Sequence, residues 1–239
     1  MNQEIVLMYH AVVNSFSSVV PHREIGAAVY DVSVRDFAAQ MKCLNDYQGN
    51  KLITVTFDDG EMNNFMSAYP ILKQYSRRAY FFIIVNRVGQ TGYMGWKELK
   101  ELAKSGMTIG SHGLTHRRLT QFSDEELRHE LVESKNILEK NLSQSIETIS
   151  IPRGFFNKKV IESGWQAGYK KIFISESHYS GCISRVAVKG SWNLTRFQLA
   201  LDGRRPLGES ILKNFIDAGK YLLGDSGYDR LRSVLLKKS

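Results

Sequence analysis

Lys51-Leu52-Ile53-Thr54-Val55-Thr56-Phe57-Asp58-Asp59-Gly60 reads as a strand that runs straight into a turn carrying two adjacent carboxylates. β-Branched and aromatic residues suit a pleated, buried surface, and Asp-Gly suits a turn. Outward from this stretch the same alternation recurs. Ile5 to Met8 reads as a buried strand, and Asp36 to Tyr47 carries Phe37, Met41 and Leu44 at helical spacing. Ala68 to Tyr75 reads as a helix with Pro70 near its start, and Ala79 to Val85 as a strand. Trp96 to Lys104 is a helix stopped by Gly106; Met107 to Ile109 is a short strand leading to His112. Ser123-Asp124-Glu125-Glu126 is a capping box opening a long helix to Leu142. A strand at Thr148 to Ile151, a helix around Lys158 to Ala167, a strand at Lys171 to Ile174, a helix at Glu209 to Leu223 and a shorter terminal one complete the pattern. Strands alternating with helices predict an α/β fold with a parallel sheet or barrel, whose function collects at the C-terminal ends of the strands. Asp58-Asp59, His112 to His116 and Pro152 to Phe155 all fall at such ends.

The chain of 239 residues has no Pro/Gly/Ser-rich linker and no internal repeat, so residues 1–239 read as a single domain. An apolar fraction of 43% and a charged fraction of 23% exclude a disordered chain. Lysine and arginine number 32 against 24 acidic residues, a net +8, but the basic pairs are scattered and no nucleic-acid motif is present. No nucleic-acid partner is expected. Cys43 and Cys182 form no metal-binding spacing and read as two free thiols. The opening Met1 to His10 lacks the basic flank of an export signal, and the longest other apolar run, Tyr80 to Val85, falls far short of the ~20 residues that span a bilayer. The expected location is cytoplasmic, with peripheral association at the inner membrane face left open.

Asp58 and Asp59 taken alone are compatible with a bare turn. Neighbouring side chains on an extended segment point in different directions, so one carboxylate could ligate a cation while the other reaches a water beside it. His112 and His116 are four apart, which on a helical turn would place both imidazoles on one face; taken alone they could equally be two surface histidines. Together the segments offer Asp, His and His. Three protein ligands with a fourth position open is the arrangement of a catalytic zinc site, and the same donors admit other divalent first-row metals.

Thr56-Phe57-Asp58-Asp59-Gly60 followed by Ser111-His112-Gly113-Leu114-Thr115-His116-Arg117-Arg118-Leu119 resembles the first two motifs of the polysaccharide deacetylases, the NodB-like carbohydrate esterases. Leu7-Met8-Tyr9-His10 matches one bacterial branch, and Tyr69-Pro70-Ile71-Leu72 and the segment from Trp96 to His116 extend the likeness over roughly residues 5 to 155. The resemblance implies a distorted (β/α)7 TIM-like barrel (the NodB homology fold) and a divalent metal, most often zinc. It implies hydrolysis of an N-acetyl group on an amino sugar, as in assembly of a bacterial surface polysaccharide, lipopolysaccharide or O-antigen. It makes Asp59, His112 and His116 the metal ligands and Asp58 the general base. The metal and backbone N–H groups would stabilise the oxyanion.

Two departures stand out. The third family motif, Arg-x-Pro-Tyr-Gly, here reads Ser150-Ile151-Pro152-Arg153-Gly154, so its arginine position holds Ser150. Arg153 is the expected substitute, orienting the base or binding an anionic substrate group, with Gly154 beside it in the substrate site. The last family motif carries a histidine that protonates the leaving amine, yet no histidine follows His178. His10, at the end of the first expected strand, is the candidate acid, ahead of His178 and His22; His129 reads as exposed. Trp96 and Trp165 read as helix packing, Phe65 and Phe155 as core. Tyr93 and Trp192, in expected loops, are candidate sugar platforms. Two other readings stay open: a carbohydrate-binding protein that keeps the metal without turnover, and a hydrolase of another small amide.

Overall fold

The computed structural model describes residues 4–14, 26–175 and 178–204. The expected helix at Glu209 to Leu223, and His22, lie outside them. The strands are β1 (Glu4–Tyr9), β2 (Val12–Val13), β3 (Val32–Ser33), β4 (Leu52–Phe57), β5 (Ala79–Ile83), β6 (Thr108–Ser111), β7 (Thr148–Ser150), β8 (Lys171–Ile174), β9 (Ile183–Ser184) and β10 (Val186–Ala187). The helices are α1 (Val34–Asn45), α2 (Tyr69–Gln74), α3 (Trp96–Lys104), α4 (Asp124–Leu142), α5 (Lys158–Gln166) and α6 (Leu194–Leu201). No helix among the described residues is long and apolar enough to cross a membrane. Cys43 and Cys182 are free thiols.

One parallel sheet runs β10-β1-β4-β5-β6-β7-β8-β9. Its two ends meet through a single stretch of chain. Ile183 and Ser184 pair with Phe173 and Ile174 of β8, while Val186 and Ala187 pair with Leu7 and Met8 of β1. Counted as one interrupted strand around Arg185, this stretch closes a barrel of seven, the (β/α)7 architecture implied by the resemblance.

Alternation along each strand explains the two cores. Outward-facing Leu7, Val55, Phe57, Phe81, Ile109, Ile149 and Ile172 are sealed by the helices in the main cluster. Inward-facing Val6, Phe82 and Phe173, with Tyr80 and Ile183, fill the lower barrel. Gly110 makes that filling possible: a Cβ there would lie 2.5 Å from Thr148 Oγ1 and 2.6 Å from Phe82 Cδ1.

The capping box of α4 is formed as expected, with Ser123 N–H donating to Glu126 Oε2 at 2.9 Å and Glu126 N–H to Ser123 Oγ at 3.3 Å. Such a cap contributes about 1 kcal/mol. Each fully buried leucine contributes roughly 1.5–3 kcal/mol. Leu127, Leu131 and Leu138 are all fully buried, so the apolar face rather than the cap holds α4 in place.

Five of these strands and helices went unread in the sequence, β2 and β3 among them. Strands of two residues carry too few positions for periodicity to register, so β9 and β10 escaped it. Helix α6 also escaped, although Asn193 caps it by accepting from Arg196 N–H at 2.8 Å. Residues Asn64–Ala68 form a π-helical turn ahead of α2, inside which the expected helix began.

Candidate metal centre

Asp58 follows β4 and keeps its register, donating N–H to Tyr9 O at 3.0 Å, so its side chain enters the barrel mouth and is buried. The chain then reverses: Asp59 has φ 73° and Gly60 φ 76°. Adjacent carboxylates therefore diverge because Asp59 is left-handed, not because the segment stays extended as the sequence reading supposed.

His112 leaves β6, donating its N–H to Ile83 O at 2.8 Å. His116 is not one helical turn on, which corrects the expectation from the four-residue spacing: the segment between is a loop, and His116 has φ 63°. Arg153 is left-handed too, at φ 60°. Each such non-glycine conformation costs on the order of 1 kcal/mol or more, a cost that the surrounding structure must hold.

The three side chains converge. Asp59 Oδ1 lies 3.6 Å from His112 Nε2 and 3.4 Å from His116 Nε2. All three ligand atoms fall within 4.8 Å of one another. These separations are too long for good hydrogen bonds. They match two ligands about 2.0–2.1 Å from one tetrahedral ion, which sit about 3.4 Å apart. Asp59 Oδ1 is buried without a hydrogen-bond partner, an orphan that a cation would satisfy. His112 Nδ1 lies 2.8 Å from Ser150 O; donating to that carbonyl leaves the Nε2 lone pair facing Asp59. Burial pushes the His112 imidazole down to about 4, which keeps it neutral, as a ligand must be. Burial by itself would raise the Asp59 carboxyl, yet the nearby His116, His10 and His112 outweigh it and lower it. The residues fit a divalent first-row ion.

Beside this set, Asp58 is gripped by an arginine that the sequence reading missed. Arg185 Nη1 donates to Asp58 Oδ1 at 2.7 Å and Nη2 to Asp58 Oδ2 at 2.8 Å. Nη2 also reaches Ser150 Oγ at 2.7 Å, Nη1 reaches Thr56 Oγ1 at 3.3 Å, and Nε donates to Ile174 O at 3.2 Å. The side chain is 2% exposed and lies over Phe82, 5.6 Å from the ring centre. Burial alone would push the Asp58 carboxyl up; the Arg185 charge and hydrogen bonds, with His112, hold it well below the usual carboxylate range. Ser150 occupies the position of the missing motif arginine, and its small side chain leaves space for a guanidinium arriving from β9–β10. Arg153, the expected substitute, is exposed in the loop after β7. The readable signal was a lone charge inside Ile183 to Val188, a stretch otherwise apolar except for Ser184.

His10 stands at the end of β1, stacked on Tyr30 at 4.9 Å, and its charge is felt by both Asp58 and Asp59. Its carbonyl accepts from Asn64 Nδ2 at 2.6 Å. His178 and His129 are exposed. Tyr93 is not an exposed platform: it is 7% exposed, and its hydroxyl accepts from Arg87 Nη1 at 2.6 Å. Trp192 is likewise buried, under Arg196 at 4.0 Å. Trp96 packs on the core as expected, whereas Trp165 remains 37% exposed. Phe65 stacks on Tyr69, and Phe155 is half-buried beneath Arg118. Gly154 has φ 69°, and a Cβ there would lie 2.3 Å from Ser175 Oγ.

Residues 45–172 match the family model described as polysaccharide deacetylase. The chain belongs to the polysaccharide deacetylase family. Among its relatives, the peptidoglycan-N-acetylglucosamine deacetylase of Bacillus cereus is 28% identical over 185 residues, 77% of each chain. The poly-beta-1,6-N-acetyl-D-glucosamine N-deacetylase of Staphylococcus aureus is 29% identical over 179 residues, 62% of each chain. The chain thus spans less than two thirds of that second relative. The crystal structure of BC0361, a polysaccharide deacetylase from Bacillus cereus, superposes with a TM-score of 0.72 at 26% identity, over 84% of this chain and 69% of that one. As a polysaccharide deacetylase family member, the chain keeps both acidic and histidine motifs, while the buried arginine that grips Asp58 sits in the strand that closes the barrel.

Proposed function

We propose that this protein is a divalent-metal-dependent hydrolase that removes the N-acetyl group from an amino sugar of a bacterial surface glycan or its precursor. The observation that carries this reading is the convergence of Asp59, His112 and His116 beside an Asp58 that Arg185 holds ionised. The activities named for the relatives support the choice of acyl group and sugar.

The bound ion, zinc being the first choice for one oxygen and two nitrogen donors, would polarise the acetamide carbonyl and make a water more acidic. Asp58 is the base. Its Oδ2 lies 3.8 Å from His112 Nε2, on the side of the metal ligands, and takes a proton from the attacking water. A carboxylate held so far below its usual range is a weak base, so the water must be acidified; this is the chemical reason to expect a cation here. Arg185 is a positioning residue that keeps both Asp58 oxygens in place. The C–N bond breaks with its electron pair going to nitrogen, and an amide anion is too basic to leave, so nitrogen needs a proton. His10 is the group that delivers it. Acetate and the free amine are the products. Arg153 and Gly154, after β7, contribute to the substrate rim, and buried Tyr93 shapes one wall rather than stacking on the sugar.

Acetate release from N-acetylglucosamine oligomers tests the reading. It should stop on chelation, return with a divalent metal, and be lost in Asp58→Asn. Unchanged release from that variant, or from metal-free protein, would refute it.

A further inference from the structure

The loop that carries the two metal histidines has its backbone groups satisfied by specific partners. Gly113 N–H donates to Ser111 Oγ at 3.0 Å. The carbonyls of Gly113 and Leu114 accept from Val85 N–H at 3.1 Å and Asn86 N–H at 3.0 Å. Two further donors, Leu114 N–H and Thr115 N–H, both converge on Glu130 Oε1, at 2.8 and 2.7 Å. Thr115 Oγ1 adds contacts of 3.1 Å to both carboxylate oxygens. Glu130 belongs to α4, is buried, and lies among leucines on the helix's core-facing side. One turn later Ser134 accepts from Ser111 Oγ at 2.9 Å, just before His112, and lies 3.2 Å from Tyr169 OH. The fit is close: a Cβ on Gly113, at φ 76°, would stand 3.0 Å from Glu130 Oε1.

A buried carboxylate is expensive to desolvate, and a leucine would suit this helix face better. The carboxylate sits where it fixes the N–H groups of the two residues that precede His116, whose φ of 63° is a strained conformation that would relax to ordinary backbone unless its surroundings hold it. We propose that Glu130 is a positioning residue for the metal site: it holds His116 in its left-handed conformation by accepting from Leu114 and Thr115, and so sets the affinity for the divalent ion. It touches neither metal nor substrate. The inference rests on the metal-centre reading given under the proposed function.

The test separates position from charge. Glu130→Gln keeps an oxygen at the Oε1 place and can keep both backbone bonds, but loses the charge. Glu130→Asp keeps the charge but is one methylene short of the loop. The probe is Co(II) or Zn(II) binding to the full chain, measured by chelator competition, with circular dichroism and metal-free melting recorded for every variant. Glu130→Asp should weaken metal binding by about 10- to 100-fold, the usual effect of losing an outer contact to a ligand. Glu130→Gln should bind within about three-fold of wild type, because its amide oxygen still accepts from both N–H groups. Glu130→Ala should follow Glu130→Asp; if it does not fold, the Asp and Gln pair decides. Wild-type affinity in Glu130→Asp, or a loss in Glu130→Gln matching that in Glu130→Asp, would overturn the inference while leaving the metal centre intact. A wild-type protein that binds no metal, or binds it equally well as His116→Ala, would overturn the metal-centre reading and this inference with it.

Discussion

Arg185→Met would leave the Asp58 carboxylate buried beside Ser150 with both of its strongest partners gone. Those partners are two charge-assisted hydrogen bonds of 2.7 and 2.8 Å, each of a kind that contributes about 1.5–3 kcal/mol. Their sum, about 3–6 kcal/mol, agrees with the 3–5 kcal/mol typical of breaking a buried ion pair from one side. In a chain of 239 residues each kcal/mol moves the melting midpoint by about 2–4 °C, so the variant should melt about 6–20 °C lower. Arg185→Lys keeps the charge with a single point of contact and should fall between. Most of the loss comes from an uncompensated charge rather than from the bonds to Ser150, Thr56 and Ile174, so that part must depend on Asp58. In the Arg185→Met background, Asp58→Asn should restore stability, giving a coupling of about 2 kcal/mol or more in a double-mutant cycle. Thermal and urea melts of the four proteins, recorded without metal, supply the cycle. Additive losses, or an Arg185→Met protein that melts with wild type, would refute the claim that Arg185 acts through Asp58. The same variants should lose kcat with little change in KM, because the proposed base and not the substrate is displaced.

His10→Gln should reduce acetamide hydrolysis by about 100-fold or more, yet spare an aryl acetate whose leaving group needs no proton; equal losses on both substrates would remove His10 as the acid. Gly110→Ala should destabilise by about 1–3 kcal/mol or prevent folding, because its Cβ meets Thr148 and Phe82 inside the barrel; a melt matching wild type would show that the barrel interior is looser than described. Burial would raise the Glu139 carboxyl, but Lys135 and the Ile146 N–H outweigh it and hold it below the usual carboxylate range. A depressed carboxyl adds stability that is present above its unfolded value and lost as pH falls. Glu139→Gln should therefore narrow the melting difference between pH 6 and pH 3.5, and an unchanged difference would contradict the Lys135 and Ile146 contacts as the cause.

Much of this protein was legible along the chain because the deciding signals are local. Strand and helix periodicity repeats every few residues, and β1, α1, β4, α3, α4 and β8 fall close to where the pattern puts them. The candidate metal ligands stand in two short motifs, each at a strand end where a parallel barrel gathers its chemistry. What lay beyond local pattern came from packing between distant segments. Arg185 meets Asp58 across 127 residues, from a two-part strand too short to announce itself, and only barrel closure brings them together. The spacing of His112 and His116 suggested a helical turn, whereas a left-handed residue and the buried Glu130 on another element bend a loop to the same end. Tyr93 and Trp192 lost their role as platforms because the tertiary fold buried what a loop position had suggested would be exposed. Sequence by itself determined which donor atoms this protein has and near which strand ends they stand; the closed barrel alone decided which side chains share a dry interior, because burial and long-range hydrogen bonding are properties of assembled segments and not of any one of them.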